Sequence, residues 1–224
     1  MARHFISRLT CISALLISIP LSICANAAPH EGPSFDCGKA ASVSEKTICA
    51  NATLSLLDFQ LGKTWKALLD AFSDTAQKTQ MRVEQRAWIT QRGKCGGDVS
   101  CIGKLYRGQL SILNGSDPAH RFSGVYEVKD TGGIAVYPIG NHYLVSIQGA
   151  EPSEGRWVCE LIGEGEAVGD ELEVSVDKLV FRVRMQDADT LVVPNSKNAQ
   201  TAASQYCGLN GTFAFSYHRI RVNP

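Results

Sequence analysis

The sequence predicts an α+β protein in two parts: a disulfide-stapled helical bundle or hairpin, then an antiparallel β sandwich or small barrel. Three observations carry that expectation. Apolar residues step by three and four as far as Leu113, and alternate with a period of two from Phe122 onward. Capping residues precede each helical run, and turn residues separate the alternating ones. Six cysteines follow an N-terminal apolar leader, an even set of the kind that exported chains use as cross-links.

The leader comes first. Arg3 and Arg8 supply a positive start, residues 12–23 an apolar run, and Ala25-Asn26-Ala27 a small-x-small cleavage signal, so residues 1–27 read as a signal peptide. Ser13, Ser18 and Pro20 break the run, which is short for a bilayer span; no transmembrane span is expected once the leader is removed. Leu21-Ser22-Ile23-Cys24 is similar to a lipoprotein box, with Ile23 standing where Gly or Ala is usual. A periplasmic or secreted protein is expected, with lipid anchoring through Cys24 as the alternative.

Removing Arg3 and Arg8 leaves 20 basic against 22 acidic side chains, which excludes a broad basic surface for nucleic acid. The charge is unevenly placed. Residues 28–119 hold 11 Lys and Arg against 9 Asp and Glu, whereas residues 120–224 hold 9 against 13. Cys37, Cys49, Cys95, Cys101, Cys159 and Cys207 remain, read as three disulfides among fifteen possible pairings. Locality favours 37 with 49, 95 with 101, and 159 with 207. No C-x-x-C or Cys/His cluster is present, so neither metal nor cofactor is expected.

Residues 28–34 are a linker by composition, and residues 35–114 the helical domain. Ser42-Val43-Ser44-Glu45 is a capping box that opens a short helix through Ile48 and Cys49. Asn51 caps a second helix with Leu54, Leu57, Leu61, Trp65, Leu68 and Phe72 on one face, and Gly62 gives a neighbour room to approach. Asp74 starts a third helix through Met81, Gln85, Trp88 and Arg92 that Gly93 ends. Asp98 caps a fourth, with Ile102, Leu105, Tyr106, Leu110 and Leu113 buried and Asn114-Gly115 as its stop.

At these residues the sequence resembles a family. Phe35-Asp36-Cys37, Glu45, Ile48-Cys49, Leu54, Leu57-Asp58, Leu61, Gln85-Arg86-Ala87-Trp88, Arg92, Cys95, Cys101 and Tyr106 are similar to the N-terminal domain of LprI-type lysozyme inhibitors. The resemblance covers about 80 residues and all four cysteines of the helical half. It implies a disulfide-bonded helical fold and a protein partner, with a lysozyme-type muramidase as the candidate. Trp88 on an apolar stripe reads as core. Asp58, Arg86 and Arg92 read either as ion pairs between helices or, for Arg86 and Arg92, as a recognition patch.

Residues 120–224 form the β domain. Alternation marks strands at 122–128, 143–147, 157–161, 172–176, 180–185 and 212–217, with turn signals at Gly132-Gly133, Gly140-Asn141, Glu151-Pro152, Gly163 and Gly165, residues 187–189 and Pro194-Asn195. Within it, Glu160, Glu164, Glu166, Asp170, Glu171 and Glu173 make an acidic run. Glu164, Glu166, Asp170 and Glu171 are the candidate binding residues, because animal lysozymes are strongly cationic and an acidic loop would attract one and obstruct its cleft. The plainer alternative is a solvated hairpin.

No G-x-S-x-G elbow, H-E-x-x-H, Walker loop or S-x-x-K occurs, and no catalytic residue is expected. The leading functional expectation is an exported inhibitor of a lysozyme-type peptidoglycan hydrolase. It would act on a host lysozyme or give immunity to a secreted muramidase. The alternative is an envelope scaffold or assembly factor that binds a partner protein without inhibiting an enzyme.

Overall fold

The computed structural model describes residues 32–221; the leader, its cleavage signal and Cys24 lie outside the described residues. Four helices come first: α1 (Val43–Ala50), α2 (Ala52–Ala71), α3 (Thr75–Gly93) and α4 (Val99–Leu113). Each starts where a side chain pairs the orphan amides of its first turn. Ser42 Oγ accepts from the Glu45 amide while the Glu45 carboxylate accepts from the Ser42 amide at 2.9 Å. The backbone donors of Ser42 and Ala41 hold the Glu45 carboxyl below its usual range. Asn51 accepts from the Leu54 amide, Asp74 from that of Gln77, and Asp98 from those of Ser100 and Cys101. Two disulfides, Cys37–Cys49 and Cys95–Cys101, fasten the incoming arm to α1 and the end of α3 to the start of α4. The arm also crosses α2 closely at Gly62, where an added Cβ would lie 2.6 Å from the Ser34 Cβ.

Eight strands follow: β1 (Gly124–Val128), β2 (Gly132–Ile139), β3 (His142–Ala150), β4 (Val158–Val168), β5 (Glu171–Val176), β6 (Leu179–Met185), β7 (Thr190–Val192) and β8 (Ser216–Arg219), with helix α5 (Lys197–Tyr206) between the last two. They pair antiparallel in chain order and close into a barrel, not a sandwich. Closure of β8 on β1 is short, through Tyr126↔Arg219 and Glu127↔His218, and continues with the Ile220 amide on the Val125 carbonyl. Three expectations are corrected. Gly163 and Gly165 are not a turn but lie inside β4, pairing with Val145 and Tyr143. The final strand is residues 216–219 and not 212–217, and β2 replaces the turn expected at Gly132-Gly133.

The barrel is filled, not hollow. Tyr126, Ile134, Val136, Val145, Leu161, Leu172, Phe181 and Tyr217 are among the buried side chains that pack its interior. Ala199, Ala202 and Ala203 let α5 press against that core, and Cys159–Cys207 ties the end of α5 to β4. The opposite face of β2 and β3 turns to the helices. Ala135, Tyr137 and Leu144 belong to the same apolar cluster as Leu61, Leu68, Phe72, Met81, Trp88 and Leu113, so the two halves share a core. Burial pushes the Tyr137 hydroxyl up to about 12.

Arg219 secures the junction. Its guanidinium donates to the carbonyls of Asn114, Ser123, Arg121 and Ala188, and stands 4.5 Å from the Tyr126 ring centroid. One side chain therefore joins the end of α4, the connecting segment and β8. Gly124 leaves room for it, since a Cβ there would lie 2.5 Å from Arg219 Nη1.

Candidate functional site

Helices α2, α3 and α4 bring Asp58, Trp88, Arg92 and Tyr106 together in the centre of the helical half. Asp58 Oδ2 accepts from the Tyr106 hydroxyl at 2.5 Å and from Arg92 Nη1 at 3.4 Å, while Arg92 Nη1 donates to the Tyr106 hydroxyl at 2.8 Å. Asp58 Oδ1 accepts from the amide and hydroxyl of Ser34. The Trp88 and Tyr106 rings meet edge-on with centroids 5.2 Å apart, and the Arg92 guanidinium lies 5.8 Å from the Trp88 ring. Both members of the ion pair are buried. Burial, and then the Asp58 charge, drive the Tyr106 hydroxyl well above its usual range. A network sealed from solvent on this scale organises the fold; it offers nothing to a partner surface.

Arg92 and Arg86 are thus separated in role. Arg92 is buried against Asp58 in an interhelical ion pair, the first of the two readings of that residue, whereas Arg86 stands exposed on α3. The structure does not bring the two into one accessible site.

The acidic run splits in a similar way. Arg182 on β6 takes Glu173 at 2.7 Å and Glu171 at 3.0 Å, and those two carboxylates raise its own pKa. Arg121 pairs with Asp170 at 3.1 Å. Glu160, Glu164 and Glu166 remain, at alternate positions on the outward face of β4, with no ion-pair partner among the described residues. Val158 (62% exposed) and Ile162 (36%) share that face. The run is therefore one strand face and one hairpin, not a loop: three free carboxylates interleaved with apolar side chains, edged by paired ones. Sequence reading missed Ile162 as a member, and missed Arg182 and Arg121 as the cations that neutralise its far end. The alternation along β4 was the signal that could have placed Ile162 beside the acids. Among the described residues no group of three or more His, Cys, Asp or Glu is arranged to hold a metal ion, and no helix is long and apolar enough to cross a membrane.

Comparison with known proteins bears on the helical half. The chain is 27% identical over 117 residues, 48% of its own length, to Lipoprotein LprI of Mycobacterium bovis and equally to Lipoprotein LprI of Mycobacterium tuberculosis. It spans 57% of the length of those relatives. No solved structure matches. The family described as Lysozyme inhibitor LprI matches residues 37–116, a stretch that runs from the first disulfide cysteine to just past α4 and includes the Asp58, Trp88, Arg92 and Tyr106 network. Over those residues the chain is similar to the family described as Lysozyme inhibitor LprI, and the rest of it lies outside that match.

Proposed function

We propose that this chain is an exported binding protein that inhibits a lysozyme-type peptidoglycan hydrolase, and not an enzyme. The observation that carries the reading is the family match over residues 37–116. The disulfides and the lipoprotein name of the relatives support export, with anchoring through Cys24 as a variant of the same reading.

Since Asp58, Trp88, Arg92 and Tyr106 are buried in a structural network, the contact surface is sought elsewhere. The outward face of β4 suits a cationic partner: Glu160, Glu164 and Glu166 present uncompensated charge, with Val158 and Ile162 between them to be desolvated. Asp170 and Glu171, already paired, form its rim. Rim charges mainly set the rate of encounter, so long-range attraction falls as salt shortens the screening length.

A cell-wall suspension treated with lysozyme tests the reading. With the chain in tenfold molar excess, clearing is expected to slow severalfold at low ionic strength and less so in high salt. An unchanged rate at both refutes it.

A further inference from the structure

We propose that the cavity where α2 and α4 meet β1 and β8 binds an amphiphilic carboxylate, with its aliphatic tail inside and its head on Arg221. The cavity encloses about 420 Å³, a volume in the range of small-molecule sites. Leu68 and Leu113 on the helix side and Val125 and Ile220 on the barrel side give it apolar walls. Ile220 remains 41% exposed, apolar surface that a tail would cover.

The charge beside those walls is unbalanced. Arg219 and Arg221 are the charged residues that line the cavity among the described residues, and no carboxylate lines it. The Arg219 side chain is only 4% exposed, and its N–H groups go to main-chain carbonyls, which are dipoles and not counter-ions. Its Nη1 donates to the Asn114 carbonyl and lies against Gly124; both of those residues line the cavity, so the guanidinium stands at its wall. The carboxylate paired with Arg219 is Asp189, 3.6 Å from Nε, and Arg221 Nη2 holds both oxygens of that same carboxylate at 2.6 and 2.7 Å. Two guanidiniums thus share one counter-ion. Burial lowers the Arg219 pKa from its ordinary value, and the neighbouring Arg221 charge adds to the fall. A buried cation short of negative charge calls for an anion.

The chemistry of the walls and donors selects which anion. Arg221 Nε and Nη1 have no partner among the described residues, and a guanidinium edge of this kind matches a planar carboxylate. One negative charge balances the excess. A cationic amphiphile would meet two guanidiniums, a neutral one would leave the charge unmet, and a small polar anion would leave the apolar walls wet. An aliphatic carboxylate answers both features at once.

The test uses the full chain, purified after export with its disulfides intact and labelled with ¹⁵N. Octanoate is titrated in below its micelle concentration and followed by calorimetry and amide shifts, with acetate, octanol, octylamine and octyl phosphate in parallel. Octanoate is expected to bind saturably at one site per chain, shifting the backbone amides of Leu113, Val125 and Ile220. Acetate, octanol and octylamine should each bind at least roughly tenfold more weakly, and Arg221→Gln should weaken octanoate by a similar factor. Ala67→Trp, which fills the cavity from α2, should abolish binding. If that variant does not fold, Arg221→Gln decides alone, because its side chain is 69% exposed and bonds only to Asp189 among the described residues. No saturable binding, shifts confined to other amides, equal binding of octanol or octylamine, or undiminished binding by Arg221→Gln overturns the proposal. Octyl phosphate binding more tightly than octanoate overturns the carboxylate head.

Discussion

Replacing Arg92 with alanine is expected to lower the unfolding free energy by about 3–5 kcal/mol, because it strands the Asp58 carboxylate inside the helical core. Asp58 would keep the Ser34 and Tyr106 donors but lose its only counter-charge among the described residues, and the ring faces of Trp88 and Tyr106 would lose the guanidinium they flank. Tyr106→Phe should cost less, on the order of 1–3 kcal/mol, since it removes one donor and leaves the ion pair in place. The change that discriminates is the double one. Asp58→Leu with Arg92→Met removes both charges together and should recover much of the loss, as apolar replacements of buried ion pairs commonly do. Urea denaturation of the four proteins checks this. A loss below about 1 kcal/mol for Arg92→Ala would show that the pair behaves like an exposed one and that its burial has been misjudged.

The second large effect belongs to the barrel. Changing Cys159 and Cys207 together to alanine is expected to cost about 4 kcal/mol, against about 2 kcal/mol for Cys95 with Cys101, if loop-closure entropy dominates. The ranking follows from sequence separation, 48 residues in one case and 6 in the other. The long loop contains β5, β6, β7 and α5, so its bridge restrains half the barrel and the helix that closes one end. Guanidinium denaturation of the two alanine pairs gives the comparison. A smaller loss for the longer loop would place the stabilisation in local geometry instead.

How much of this was legible in the sequence depends on whether a segment signals its own structure. The four N-terminal helices were readable because Ser42, Asn51, Asp74 and Asp98 each form the local capping bond that their position implies. Strands with one wet face, such as β4 and β5, were readable from alternation. Strand β2 was not: Ile134 and Val136 enter the barrel while Ala135 and Tyr137 lie under the helices, so both faces are apolar and no period of two survives. Helix α5 buries only alanines, too weak an apolar stripe to stand out from a polar run. A sandwich and a barrel share the same strand pattern, and only the pairing of β8 with β1 separates them.

The candidate site was legible only in part, for the same reason. Local sequence showed an acidic run but not its cations, which arrive from β6 and from the segment before β1. Likewise Arg92 finds its carboxylate 34 residues away on another helix, and Gln77 finds its carbonyls on β3 and β4. Side chains whose meaning depends on a partner from another element carry no mark of it in their own neighbourhood.

The measurement that bears most directly on the whole account is the initial rate at which lysozyme clears a cell-wall suspension, taken with the unaltered chain and with Glu160, Glu164 and Glu166 all changed to glutamine. Slowing by the unaltered chain, largely lost in the triple variant while its thermal unfolding is unmoved, is the predicted result. Equal slowing by both proteins would remove the β4 face from the contact, and no slowing by either would contradict the account at its centre.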